Sequence, residues 1–452
     1  MKNTIAKLVL LTFICSATTH KAFAQLTITG QLRTRTELKD GQGTLFSNGA
    51  KPASFTSQRT RLNLGYKMDR LEFGLSLQDV RVWGQDVSTI NRTTAENNNG
   101  LKLQEAWADI LLSDPAFKNK SLRLKIGRQI LSYDDQRLLG ALDWLQQGRS
   151  HDVALLKYQS NSWMFHLGAS ENQNKENVSG TLYNSTPPGN YTANTNGGAM
   201  YKSLQFLYIG KKMVKGNASF LFLADQFNKY TTDNVGTKTF VDGTWGRMTT
   251  GFYFNNSFDK LNVTASAYYQ FGDNQTGQKL SAGLLSLYTN YDFSKAFSLG
   301  PGIDYTTGGN SGNTTHAFDP LYGTPHKFWG SMDYFYVASP FGKNGLMDYY
   351  LKAAYKTSSK LLLNGAIHQF NSAQKISSSD VAGSKTNFGA ELDLSGLYQL
   401  NKAISFEAGY SHFFATALLA SSTVKNIAHP NLNANWAYLM INITPDLLLH
   451  KN

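Results

Sequence analysis

An all-β fold, a transmembrane antiparallel β-barrel of about eighteen strands, is what this chain predicts. Three observations predict it. Hydrophobicity alternates with a period of two almost throughout. Past the N-terminal segment no run of 18 apolar residues occurs, so no helix is long and apolar enough to cross a membrane. Aromatic residues reach 13% while charged residues make up only 16%, against about 25% in ordinary soluble domains.

The first 24 residues have the form of a secretory signal. Lys2 and Lys7 precede an apolar run over 8–15, and Ala22-Phe23-Ala24 is a small-x-small cleavage site. The run is too short to span a bilayer, so the mature chain is expected to start at Gln25. Cys15, the single cysteine, lies in this segment and lacks the small residues that precede a lipoprotein cysteine. Disulfides, thiol catalysis and cysteine-ligated metals are thereby excluded from 25–452. Of the formal charge of +12, Lys2, Lys7 and Lys21 account for three, leaving +9 on the mature chain. A basic exported protein suits a membrane surface or an acidic ligand, and its address disfavours nucleic acid.

Strands are expected at 26–38, 56–68, 70–83, 101–112, 121–130, 151–159, 161–171, 201–211, 215–226, 245–256, 260–272, 279–292, 296–307, 345–356, 360–370, 386–400, 403–414 and 434–444. The clearest is 261–271, where Leu261, Val263, Ala265, Ala267, Tyr269 and Phe271 share one face and Asn262, Thr264, Ser266, Tyr268 and Gln270 the other. Connections alternate in length. Short ones follow Met68, Leu112, Gln159, Lys211, Phe258, Tyr291, Lys356 and Leu400; long ones fall at 39–55, 84–100, 131–150, 172–200, 227–244, 308–344, 371–385 and 415–433, with a shorter one at 273–278. Short periplasmic turns with long extracellular loops are the outer-membrane pattern, and an even strand count puts both chain ends in the periplasm. A soluble sandwich has no reason to gather its long loops at one end, and without a fixed repeat a propeller is disfavoured. Residues 25–452 are therefore expected as one barrel domain.

In a membrane the apolar face meets lipid and the polar face lines the lumen. Leu32 and Leu38 set the outward phase, which turns Arg33, Arg35 and Glu37 inward. Leu62, Leu64 and Tyr66 do the same for Arg59 and Arg61 on the hairpin partner. Leu122, Leu124 and Ile126 place Arg123 and Lys125 inside, next to Glu105 and Asp109 of the preceding strand. Such charges either pair across a wet wall or form a ladder of planar forks for carboxylates, as on a uronate. The arginine excess on the first two strands favours the ladder for Arg33, Arg35, Arg59 and Arg61; Arg123 and Lys125 fit both readings equally. Arg128 falls on the outward phase, where a charge costs roughly 2–4 kcal/mol at the midplane and little near the interface. Either a bulge or the rim must accommodate it.

The densest charge surrounds 127–152. Gly127-Arg128-Gln129, then Tyr133-x-x-Gln136-Arg137-Leu-Leu-Gly140, then Asp143-Trp144-x-Gln146-x-Gly148-Arg149-x-x-Asp152 resembles the alginate export family of outer-membrane barrels. A second match is Phe318-x-Pro-Leu-Tyr322-Gly-Thr-x-His326-Lys327-Phe-x-Gly330-x-x-Asp333-Tyr, followed by Gly342-x-x-Gly345-Leu-Met-Asp348. The resemblance implies a channel for an acidic polysaccharide such as alginate, with Arg128 turned inward. The loop at 131–150 is too polar for lipid and is expected over the mouth or inside the lumen as a constriction. There Arg137 and Arg149 meet the anion, Asp134, Asp135 and Asp143 hold them, and Tyr133, Trp144 and Asp152 complete the loop. His326 and Lys327 are expected at the entrance. His316, Asp319 and His326 match no metal-site spacing, so a packed loop is expected in their place. One departure from outer-membrane proteins is the terminus, Thr444-Pro-Asp-Leu-Leu-Leu-His-Lys-Asn452, which lacks the final aromatic residue of many assembly signals.

The expected function is passive diffusion of an anionic polysaccharide or another anionic solute through an arginine-lined lumen. The expected partners are that solute, outer-membrane lipid and, at the short-turn end, a periplasmic protein; a monomer is expected, without cofactor, metal or nucleic acid. Two rivals come from other classes. A barrel hydrolase needs a nucleophile and base on the wall, and His166 with Ser162 and Ser170 nearby in sequence offers no clear triad. A non-conducting adhesin or structural barrel needs a plugged lumen.

Overall fold

A computed structural model describes residues 25–84, 101–174, 176, 178, 180–183, 201–337 and 343–448. The expected signal segment, most of the loops at 84–100 and 172–200, Gly342 and the last four residues lie outside them. Eighteen long strands follow one another: β1 Gln25–Asp40, β2 Ala53–Met68, β3 Leu71–Val82, β4 Lys102–Leu111, β5 Lys120–Gln129, β6 His151–Ser160, β7 Trp163–Glu171, β8 Ser203–Lys212, β9 Gly216–Thr232, β10 Lys238–Phe258, β11 Leu261–Asp273, β12 Lys279–Asp292, β13 Phe297–Thr306, β14 Leu346–Lys356, β15 Leu361–Ser378, β16 Val381–Asn401, β17 Ile404–Ala415 and β18 Asn433–Ile443. Each pairs antiparallel with the next. The first and last strands then pair, from Leu32 opposite Ile443 to Asp40 opposite Asn435, and the sheet closes.

Closure removes every free edge, the only way a sheet can sit in hydrocarbon. The period-two pattern decides which face meets lipid. Phe252, Leu285, Ile367, Leu394 and Leu439 are each about half exposed on the outside. Tyr158, Trp163, Phe258, Tyr291, Phe293, Phe297, Tyr355 and Tyr398 ring the short-turn end, where an interfacial aromatic girdle belongs.

Two connections expected as long loops are strand. β9 runs on to Thr232 and β10 starts at Lys238; β15 runs to Ser378 and β16 starts at Val381. The reason lies in side-chain pairing that continues beyond the membrane. Tyr230 stands opposite Phe240 and packs on Trp245 at 4.9 Å, and aromatic cross-strand pairs stabilise a ribbon even outside lipid.

The main hydrophobic core lies inside the barrel. Segments 130–150 and 307–337 turn inward and meet. Leu131, Leu138, Leu139, Leu142, Phe318, Leu321, Tyr322, Trp329, Met332, Tyr334, Phe335 and Tyr336 are each no more than 3% exposed. They pack on luminal side chains of the wall, among them Phe206, Phe370, Phe388, Phe413 and Trp436. Burying each large apolar side chain contributes about 1.5–3 kcal/mol, which is why these otherwise polar segments fold in. The segments also pair with each other. Tyr322 N donates to Leu138 O (3.0 Å), Gly140 N to Tyr322 O (2.9 Å) and Thr324 N to Gln136 O (2.9 Å). At Gly323 a Cβ would lie 2.0 Å from the Arg137 carbonyl oxygen, so only glycine permits this approach.

Candidate functional site

Alternation places Arg33 and Arg35 on the luminal face of β1, and Arg59 and Arg61 beside them on β2, with Arg33 opposite Arg59 in register. Four cations on one patch repel unless something lies against them. The segment around Asp143 does. Arg33 donates to Asp143 O (2.7 Å), Trp144 O and Leu145 O (3.2 Å each) and Gln146 Oε1 (2.9 Å). Arg59 Nη1 reaches Asp143 Oδ1 at 2.8 Å; Arg33 and Arg61 each stand 3.4 Å from that carboxylate. Arg35 donates to Trp144 O (2.8 Å), pairs with Glu37 (3.0 Å) and lies over the Trp144 ring at 4.3 Å.

The geometry revises the expected fork ladder. Arg33, Arg35 and Arg59 are no more than 5% exposed and sit behind the inward segment, while the Asp143 side chain in front is 56% exposed. The arginines therefore grip the segment and do not offer their forks to luminal water. Even so, they outnumber the carboxylates that pair with them, Asp143 and Glu37. Arg59 Nε and Nη2 and Arg61 Nη2 find no acceptor among the described residues. Burial alone would raise the Asp143 carboxyl, but the hydrogen bond and charge of Arg59, then Arg33 and Arg61, hold it below the usual carboxylate range.

At the far wall the same segment is anchored by Arg137. It donates to Asp304 on β13 (2.8 Å) and Ser286 on β12 (3.0 Å) and lies 3.4 Å from Asp135. Arg137 is 4% exposed and so does not contact the lumen as expected. Arg149, buried beneath the second segment, donates to Gly323 O at 2.6 Å, and burial lowers it to about 10. Asp143 holds Arg33, Arg59 and Arg61 of the wall in place of the expected Arg137 and Arg149, whereas Asp135 holds Arg137. Asp134 does not: it accepts from Tyr208 Oη (2.9 Å) and Ser219 Oγ (2.8 Å). Burial pushes its carboxyl up to about 6; those hydrogen bonds oppose the rise, and Asp135 adds to it. Tyr133 hydrogen-bonds His166 Nδ1 at 3.0 Å.

Trp144 is clamped between Arg35 and His326, whose ring stacks on it at 4.3 Å and whose Nδ1 lies 2.6 Å from Asp333. Trp436 and Tyr438 meet the same indole edge-on. His326 is thus part of the clamp, whereas Lys327 is exposed and donates to Asp135 O at 2.9 Å. His316, Asp319 and His326 do not converge. They bond Ser281 O, Arg247 and Asp333 respectively.

Arg128 and Asp152 correct the expectation taken from the resemblance. Arg128 keeps the outward phase of β5 and pairs with Asp152, its register partner on β6, at 3.2 Å. The pair is exposed at the long-loop rim, so neither residue lines the constriction. Arg123 and Lys125 do face the lumen, near the short-turn end. Arg123 pairs with Asp109 (2.8 Å) and Glu72 (3.2 Å), Lys157 also bonds Asp109, and Lys125 lies over Trp107 at 3.7 Å.

Sequence reasoning passed over a second anchor set. Arg247 takes Asp225 through two nitrogens (3.0 and 2.5 Å) and Asp319 through the third (2.7 Å), while Tyr322 Oη donates to Asp225 at 2.7 Å. His368 pairs with Asp348 at 2.9 Å. Asp225, Arg247, Asp304, Asp348 and His368 all fall on the luminal phase of their strands, the signal that would have found them.

A profile of the alginate export family matches residues 24–429. A search of curated protein sequences finds no match. Among solved structures, the chain resembles OccAB4 of Acinetobacter baumannii (13% identity, TM-score 0.60, covering 93% of this chain and 98% of that one). It also resembles OccK5 (OpdH) of Pseudomonas aeruginosa (10%, 0.59, 94% and 99%) and a BenF-like porin from Pseudomonas fluorescens Pf-5 (9%, 0.59, 94% and 99%). At these identities the likeness is one of fold.

Proposed function

The chain belongs to the alginate export family and is a porin-like barrel of the Gram-negative outer membrane, and from that premise we propose a passive channel for anionic solutes, foremost an acidic polysaccharide of the alginate type. The observation that carries this reading is the guanidinium cluster of Arg33, Arg35, Arg59 and Arg61, which exceeds its paired carboxylates, Asp143 and Glu37. Fixed positive charge behind a thin loop raises the anion concentration in front of it. The exposed carboxylate of Asp143 keeps any one anion from lodging there, and conduction needs sites that release as well as bind. In this mechanism the arginines act through their field and through their hold on the constriction.

We read the barrel as a channel and not an enzyme. His166, the one base considered for hydrolysis, is hydrogen-bonded to Tyr133, and among the described residues no histidine is hydrogen-bonded to a serine hydroxyl. The test is the reversal potential of the purified barrel in a planar bilayer under a salt gradient. Anion selectivity that weakens in Arg61→Gln, with block by added oligouronates, supports the reading. Cation selectivity or a silent barrel sinks it, and silence would favour the structural-barrel alternative.

A further inference from the structure

We infer that the periplasmic mouth carries a second anion-binding site, separate from the arginine cluster, where Lys260, Lys295 and Lys356 hold a carboxylate- or phosphate-bearing ligand. These lysines line one cavity of about 560 Å³, together with Asp292, Phe297 and Leu362. That volume lies within the roughly 300–1,000 Å³ of small-molecule pockets.

Register explains why the lysines gather. Asp292 N donates to Lys260 O (2.8 Å), Asp292 stands opposite Ser298, Lys356 N donates to Ala296 O (2.7 Å), and Lys356 stands opposite Leu362. One level of the wall thus runs from the β10–β11 turn across β12, β13 and β14 to β15. Neighbouring strands lie about 4.8 Å apart, so the three ammonium groups are rooted within roughly 15 Å. Asp292, Ser298, Ala354 and Lys356 share the luminal phase of Ser286, Asp304 and Asp348, which turns the cavity toward the lumen.

The charge there is uncompensated. Among the described residues, Lys260, Lys295 and Lys356 form no ion pair. Asp292, the one carboxylate in the lining, accepts instead from Asn262 (3.0 Å) and Asn290 (3.2 Å). Three cations facing one occupied carboxylate suit a ligand with more than one negative charge, and Leu362, on the luminal face opposite Lys356, adds an apolar contact for its carbon skeleton. Two sources bring that chemistry to this mouth: an acidic oligosaccharide in the periplasm, and the phosphate headgroup of an inner-leaflet lipid.

Titration calorimetry on the intact barrel in detergent tests the site, with trimannuronate and glycerol 1-phosphate as probes. Conduction plays no part in the readout, so failure here leaves the channel proposal standing, and the reverse. The expected result is saturable binding that weakens about tenfold or more in the triple variant Lys260→Gln/Lys295→Gln/Lys356→Gln. A control that removes equal charge from the other short turns, Lys120→Gln/Lys212→Gln/Lys402→Gln, is expected to bind like the wild type. Binding of the uronate alone assigns a solute; binding of the glycerol phosphate alone assigns a lipid headgroup. Binding of neither probe, or equal weakening in both triple variants, overturns the site.

Discussion

Asp143→Asn isolates the contribution of charge to the arginine grip. It keeps the side chain's shape and an acceptor for Arg59 but removes the negative charge shared by Arg33, Arg59 and Arg61. At about 4 Å, one such attraction is about 1 kcal/mol in water and about 4 kcal/mol at an effective dielectric of 20. The carboxylate is 56% exposed, so the watery end of that range applies. Three partners then give about 3 kcal/mol, of which the retained hydrogen bond returns about 1 kcal/mol. The remaining 2 kcal/mol or so corresponds to a roughly 30-fold higher ratio of released to docked segment. Hydrogen exchange measures this directly, because Gly148 N and Arg149 N donate within the docked segment, to Leu145 O and Ala141 O. Their exchange is expected to quicken by roughly that factor. Anion preference in bilayer recordings should rise at the same time, since positive charge is uncovered. Unchanged exchange refutes the reasoning and leaves the hold to the backbone carbonyls that accept from Arg33 and Arg35 and to the other anchors of the segment; a fall in anion preference refutes the sign of the field.

Four further outcomes are expected. Arg137→Met strands Asp304, which is 2% exposed, and should cost about 3–5 kcal/mol in thermal unfolding, partly recovered by adding Asp304→Asn. Gly323→Ala forces its new carbon onto the Arg137 carbonyl and should loosen the paired segments by about 1–3 kcal/mol, read as faster exchange at Gly140 N and Tyr322 N while the strands stay protected. Asp134, raised to about 6 when docked against about 3.9 when released, binds its proton more tightly in the docked state. Docking should therefore be strongest below pH 4 or so and weaken by about 2–3 kcal/mol as pH rises to about 6, a dependence that Asp134→Asn abolishes in exchange measured across that range. Leu439→Arg puts a charge on the lipid face and should cost about 2–4 kcal/mol in urea titrations of folding into vesicles if it lies at the midplane.

The barrel was legible because alternation is a local property. Every strand could be found from its own residues, and the inward phase of Arg33, Arg35, Arg59 and Arg61 followed from their leucine neighbours. Where the arginines end up was not legible, because their partners lie about 80 to 110 residues away in a segment without periodicity. The leucines at 131, 138, 139 and 142 signal that this segment seeks a dry place, but its charges, the densest in the chain, mask that signal. Arg128 teaches the opposite lesson: its strand phase was right, and the resemblance drew it inward. The ribbon at 227–244 continues its alternation through threonines and aromatics on either side of Asp233-Asn234, whereas 371–385 has neither and becomes strand by pairing with itself, Ile376 opposite Lys385, which no local pattern shows.

The clamp on Trp144 has a consequence for assembly. Its indole is gripped by Arg35 from the first strand and by Trp436 and Tyr438 from the last. Those strands are neighbours only once the cylinder has shut, and contacts between residues so distant in sequence form late. The binding place for Trp144 therefore does not exist on an open sheet, and the interior can harden only after the seam. A half-inserted intermediate keeps both inward segments wet and its bore wide. The fluorescence of this tryptophan would act as a stopwatch for the final step of biogenesis.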